Sequence, residues 1–211
     1  MSLHRSVRVL ETAFLVWLAC SQQCFSTHTD HLLPPEFSQY NGTLYAACKV
    51  SPSTSLPDDL PKVYGQALFK QDHGQGKLQV LLQLAGFPED ESPQSRAVHI
   101  HQYGDLSRGC ISTGGHYNPY GVDHPNHPGD FGNFVAHEGR ISEQIESEAT
   151  LFGGLSVLGR AVVVHETIDD LGQGGDVGSL LHGNAGRRLA CCVIGMSSSD
   201  LWEEQQKLQS S

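Results

Sequence analysis

Residues 96–102 read RAVHIHQ. Apolar and polar side chains alternate through it, and a period of two marks a strand whose successive side chains leave opposite faces. His99 and His101 therefore share a face, close enough to hold one ion, while Ile100 turns the other way. Segments of similar character lie on both sides: LYAACKV (44–50), VYGQALF (63–69), KLQVLLQL (77–84), GNFVAHE (132–138), SEATLF (147–152), RAVVVHE (160–166) and LACCVIG (189–195). Turn-forming stretches such as SPSTSLPDD, DHGQG, FPEDESP and LGQGG separate many of them. There is no GxGxxG or P-loop, and no alternation of strands with long helices. The pattern predicts an all-β fold, eight antiparallel strands in a sandwich or barrel. Two glycine-rich connections, Tyr103 to Phe131 and Thr167 to Arg187, are too long for hairpins. Loops of that length in a compact domain are commonly functional, and the histidines gather around them.

The 211 residues suit one domain with extensions at its ends. Charged residues make up 17% of the chain and the formal net charge is −10. Such acidity argues against general nucleic-acid binding and against attraction to acidic membranes or polyanions. A hydrophobic fraction of 38% excludes a polytopic membrane protein. At the start, Arg5 and Arg8 precede a short apolar run, Ala13 to Cys20. This predicts a secretory signal peptide over 1–21, with Ala19 and Ser21 as the small residues before the cut, and hence an extracellular protein. Residues 22–43 form an N-terminal segment, 44–196 the β domain, and 197–211 a partly helical tail. That tail ends LWEEQQKLQSS. It carries no Lys/Arg cluster, so heparin binding is not expected.

In an oxidising compartment the cysteines should pair. Cys20 leaves with the signal. Cys191 and Cys192 are neighbours in a strand, so they face opposite sides and should not share a partner. One bonds Cys48 and the other Cys110; the spacing does not choose between the two pairings, and Cys24 is left over. Asn41-Gly42-Thr43 is a candidate glycosylation site at Asn41.

Further histidines extend the chemistry. His116 lies in GGHYNP, and His124, His127 and Asp130 lie in HPNHPGD, the spacing of a tetrahedral zinc site short of one ligand. His165 closes AVVVH beside the second long loop. His73 and His137 fit no ligand pattern, and His4, His28 and His31 precede the domain.

Taken in order, VHIHQYGD (98–105), GGHYNP (114–119), HPNHPGDFGN (124–133), RAVVVHETIDDLGQGG (160–175) and GNAGRRLACCVIG (183–195) closely resemble the copper/zinc superoxide dismutase family. The resemblance covers roughly residues 44–196. The leader, Cys48 and the doubled Cys191-Cys192 resemble its extracellular form. It implies an eight-stranded Greek-key architecture, two long functional loops and, here, a short C-terminal helix. It implies copper held by His99, His101, His116 and His165, and zinc held by His116, His124, His127 and Asp130. Asp169 matches the carboxylate that links ligands of the two metals, and Arg188 matches the arginine that guides the anion. The cysteine pairs it implies are Cys110–Cys191 and Cys48–Cys192.

The implied activity is dismutation of superoxide at copper cycling between two oxidation states, with His116 bridging to structural zinc and carrying a proton. Arg187 beside Arg188 is expected to add local positive charge, since field shape rather than net charge sets encounter rate. The loop DVGSLLHG departs from the intracellular pattern: Leu180 and Leu181 stand where polar residues are expected, and His182 lies near the channel rim. Family members associate as homodimers or homotetramers. Two alternatives compete. A chaperone-like relative would lack some copper ligands or the arginine. A secreted protein that binds or stores copper and zinc without turnover would keep them.

Overall fold

The computed structural model describes residues 34–73, 76–89 and 94–209. The signal peptide over 1–21, Cys20, Cys24 and the three early histidines lie outside the described residues. The chain divides after Pro35, and the unit Glu36–Ser211 is described below.

The strands are β1 (Thr43–Pro52), β2 (Tyr64–Asp72), β3 (Leu78–Ala85), β4 (Ser95–His101), β5 (Ser107–Cys110), β6 (Asp130–Val135), β7 (Arg140–Ser147), β8 (Ala161–His165), β9 (Arg188–Val193) and β10 (Gly195–Met196). Among the described residues three short α-helices accompany them: α1 (Pro35–Gln39), α2 (Val177–His182) and α3 (Asp200–Gln209). Eight strands run in the order β6-β4-β8-β9-β1-β2-β3-β7, and β10 adds to β1. All pairs are antiparallel. The end strands β6 and β7 are consecutive in the chain, and His137 and Arg140 exchange backbone hydrogen bonds of 2.8 and 2.9 Å in the turn between them. The sheet thus rolls into a nearly closed barrel, which leaves little exposed edge. The connections β3–β4 and β7–β8 cross it, as in a Greek key.

Alternation fills the interior. Leu44, Ala46, Cys48 and Val50 of β1 meet Phe69, Val80, Leu82, Val98, Ile100, Val162 and Val164 in one buried cluster. Each large side chain there contributes about 1.5–3 kcal/mol relative to exposure. Outside the barrel, Trp202 of α3 covers Leu68 and Leu81, which explains why β2 and β3 are apolar on both faces. Gln83 donates to Gln205 at 2.6 Å and Gln206 donates to Gln144 at 3.3 Å, fixing α3 to the sheet. No helix among the described residues is long and apolar enough to cross a membrane.

Cys191 and Cys192 leave β9 on opposite faces. Cys192 enters the core and is bonded to Cys48, with Cα atoms 5.5 Å apart. Cys191 lies against Val163 and is bonded to Cys110, with Cα atoms 5.7 Å apart. This second bridge spans 81 residues. Constraining a loop of that length is worth about 4 kcal/mol on chain-entropy grounds.

One strand lies elsewhere than the sequence pattern places it. SEATLF is irregular after Ser147, and the strand is Arg140–Ser147 upstream. Ala149 and Leu151 are buried at alternate positions and so mimic a strand, but they join the core from an irregular segment. The Leu151 N–H donates to Gln71 Oε1 at 2.7 Å rather than to a neighbouring strand. The true strand reads RISEQIES and buries only Ile141 and Ser147, with Ile145 half-buried, so its apolar signal is thin. The first long connection also holds β5 and a 3-10 turn at Ile111–Thr113, and the second holds α2.

Candidate metal centre

β4 is buried on both faces, and this positions the site. Val98 and Ile100 enter the barrel, while His99 and His101 stand on its outer face beneath the two long loops. His116 returns to the end of β4, where it forms a β-bridge with His101. The Tyr117 N–H donates to the Ile100 carbonyl at 2.9 Å and holds that return. His165 ends β8, the neighbour of β4. Asp130 opens β6, the neighbour on the other side. His127 is tied to it by its own N–H, which donates to Asp130 Oδ2 at 3.1 Å. Gly129 lies so close to β4 that a Cβ there would sit 2.5 Å from the Ile100 Cβ.

Among the described residues three groups of potential ligands result: His99, His101, His116 and His165; His116, His124, His127 and Asp130; and His99, His124 and Asp169. Within each group, one potential ligand atom per residue lies within 4.8 Å of the others. His116 belongs to the first two groups. Asp169 joins them from behind, its Oδ2 accepting from His99 Nε2 at 2.9 Å and its Oδ1 from His124 Nε2 at 2.7 Å.

The hydrogen bonds test whether metals fit. His101 Nδ1 donates to the Gly114 carbonyl at 2.9 Å and His127 Nε2 to the Val122 carbonyl at 3.1 Å. With His99 and His124 held by Asp169, each of these rings is tethered by one nitrogen. The opposite nitrogens of three of them, His99 Nδ1, His124 Nδ1 and His127 Nδ1, are buried without a hydrogen-bond partner, as is His116 Nε2. His124 Nδ1 and His127 Nδ1 stand 2.8 and 3.0 Å from Asp130 Oδ2, yet neither makes a hydrogen bond to it. His101 Nε2 and His165 Nε2 face each other at 3.2 Å. In His99, His124 and His127, one nitrogen tethered and the other left free is what a buried cation needs. The donor set suits copper in the all-imidazole group and zinc in the group with a carboxylate.

Electrostatics agree. Burial holds His101 and His165 well below the ordinary imidazole value, so they are neutral and able to ligate. Burial also lowers His116, to about 4, against the pull of Asp130. Burial would lower His124 too, but the carboxylates of Asp130 and Asp169 outweigh it and raise that ring to about 9. Burial opposes ionisation of Asp130 and Asp169, yet the imidazoles of His116, His124 and His127 around the first and of His124 and His99 around the second hold both well below the usual carboxylate range.

Beside the first group, Arg188 is half-buried, and desolvation lowers its guanidinium from the ordinary value. Its Nη1 donates to the Cys110 carbonyl at 2.9 Å, the Ile111 carbonyl at 3.3 Å and Thr113 Oγ1 at 3.0 Å. Among the described residues it pairs with no carboxylate. Arg187 differs from expectation. Its Nε and Nη2 grip Glu166 at 2.7 and 2.6 Å, so most of its charge is cancelled at the rim. Leu181 and His182 line the cleft with Arg188, and the Leu180 carbonyl accepts from the His124 N–H at 2.9 Å.

Asn133 was not singled out in the sequence. Its side chain accepts from the Asp169 N–H and donates to the Asp169 carbonyl, both at 2.8 Å, and so aims that carboxylate. Its position inside HPNHPGDFGN was the available signal. Asn41 is exposed in a turn with φ 52°. His73 is away from the centre, packed between Phe37 and Phe152 with ring centroids at 4.8 and 5.1 Å. His137 sits in the β6–β7 turn.

Residues 63–194 match the family model for copper/zinc superoxide dismutase (SODC). The chain is 53% identical over 165 residues to the extracellular superoxide dismutase (Cu-Zn) of Rattus norvegicus, covering 78% of this chain and 68% of that protein. It is 51% identical over 168 residues to the protein of that name in Homo sapiens, covering 79% and 70%. The Drosophila melanogaster protein of that name is 43% identical over 149 residues, covering 67% and 80%. With a barrel whose outer face carries two ligand clusters sharing one imidazole, the chain belongs to the copper/zinc superoxide dismutase family.

Proposed function

We propose that this chain catalyses superoxide dismutation outside the cell, converting two superoxide ions and two protons into oxygen and hydrogen peroxide. The observation that carries the reading is His116, a single ring common to two adjoining sets of free nitrogens and carboxylate oxygens. Copper is assigned to His99, His101, His116 and His165, and zinc to His116, His124, His127 and Asp130. When bound, copper supplies the one-electron exchange with successive superoxide ions, and zinc, which does not change oxidation state, supplies structural support.

The chain's own groups do the rest. Arg188 attracts the anion and orients it, because its Nε and Nη2 have no partner among the described residues and its charge is permanent. Three neutral acceptors on Nη1 hold the fork in place without cancelling that charge. His116 faces Asp130 through Nδ1 at 2.9 Å and leaves Nε2 free, which makes Nε2 the atom placed to hold a proton and pass it to reduced oxygen. Asp169 fixes the His99 and His124 rings.

Pulse radiolysis of the metal-loaded protein tests this. Catalysis predicts superoxide decay far faster than in buffer, whereas copper and zinc storage without turnover predicts no acceleration. Arg188→Ala should slow the decay about tenfold or more with metal content unchanged.

The relatives are named as extracellular, and a secreted protein is also what a signal peptide over 1–21 implies. We further propose a homodimer or homotetramer, a glycan on Asn41, and no retention on heparin above physiological salt, about 0.15 M. Elution well above that salt would reveal a basic face that the tail LWEEQQKLQSS does not supply.

A further inference from the structure

The cleft over Arg188 is much larger than a diatomic anion requires. Its volume is about 640 Å³, against about 30 Å³ for one water molecule in the liquid. A connection outside the two long loops builds one wall: the segment between β1 and β2 brings Leu56 and Pro57 over the cleft. Ile111 comes from the first long loop and Leu181 from α2. Leu56 is half-buried against the core, while Ile111 and Leu181 stay 60% and 59% exposed, so their apolar surface is open. Below it stands Arg188, bonded through Nη1 only and paired with no carboxylate among the described residues. At the rim Asp58 pairs with Lys62 at 3.6 Å and Glu166 with Arg187 at 2.6 Å, and Asp59 also acts on Arg187.

A cationic floor, Arg188 beside the imidazoles of His101, His116 and His165 that would hold copper, selects charge, and the apolar walls above it select shape. A neutral molecule finds no ionic anchor there. We infer that this cleft binds a small amphiphilic monocarboxylate, whose head pairs with Arg188 and whose apolar tail packs on Leu56, Ile111 and Leu181. Occupancy blocks the approach of superoxide to Arg188, so such a molecule is a competitive inhibitor. The inference shares Arg188 with the dismutase reading but does not require turnover.

Isothermal titration calorimetry on the metal-loaded full chain tests it with hexanoate, acetate and hexanol as probes. Hexanoate should bind about tenfold tighter than acetate, the gain from burying about two methylenes, and hexanol should not bind measurably. The double variant Leu56→Ser, Leu181→Ser should reduce hexanoate to the acetate level while leaving acetate unchanged. Arg188→Ala should abolish binding of both carboxylates. Circular dichroism and metal content establish that the variants remain folded. Equal affinity for hexanoate and acetate, a tail advantage that survives the double substitution, or hexanol binding as well as hexanoate would each overturn the site. Failure of the dismutase reading is a separate result: no accelerated superoxide decay without any probe present.

Discussion

A single carboxylate, Asp169, ties together His99 and His124, rings from the two ligand sets. Asp169→Asn keeps the shape but removes the charge and turns one acceptor into a donor. Groups that orient metal ligands typically matter 10- to 100-fold, so zinc affinity should fall by about that factor. Competition with a chelator of known affinity measures it; unchanged affinity would mean the ligands hold themselves. The raised His124 carries a second expectation. Because its value is about 9, the metal-free ring is protonated at pH 7, and zinc must displace that proton from Nδ1. Zinc uptake should therefore release close to one proton from this ring near pH 7, and the release should fade as pH rises past 9. Titrations in buffers of different ionisation enthalpy give the count. At this scale the sequence was informative wherever spacing is local. His99 and His101 had to share a face, and the HPNHPGD cluster was close-set. It was silent where partners are distant. Glu166 lies 21 residues from Arg187, so the lost charge of Arg187 could not be read from adjacency. Asn133 reaches across 36 residues to the Asp169 backbone.

Elements that bury a full apolar face were the easiest to read. β1, β4, β8 and β9 each combine alternation with flanking turns, and their segments fell where the pattern placed them. β7 did not, because one inward face of Ile141, Ile145 and Ser147 hides among glutamates and glutamine. Its register is set by eight paired residues of β3 rather than by its own composition. The last helix has a buried aromatic anchor beside its two glutamine contacts. Trp202 is 6% exposed and closes over Leu68 and Leu81. Trp202→Ala should cost about 3–5 kcal/mol, as large aromatic truncations do. Denaturant titration of the metal-loaded protein measures this, and a loss below about 1 kcal/mol would mean that the Gln83–Gln205 contact holds the helix without it.

Across the whole molecule, an acidic protein of net charge −10 must draw an anion to one spot. On the proposed reading the attraction among the side chains rests on Arg188, because Arg187 pairs with Glu166. Encounter should consequently depend only weakly on salt. Glu166→Gln would release the second cation at the rim. It should raise the superoxide rate severalfold at low ionic strength, and the gain should vanish near 1 M salt, where the screening length is about 3 Å. A rate unchanged at low salt would place Arg187 outside the approach path. Net charge alone gave no hint of this arrangement, since it reports nothing about position.

The consecutive cysteines of β9 have a mechanical consequence. One link pulls inward on the drum of strands and the next pulls outward on the loop that cradles the arginine. Both loads therefore meet at a single peptide unit. Slackening the drum tugs on the cradle, and lifting the cradle tugs on the drum, so the anion's seat and the scaffold beneath it yield together.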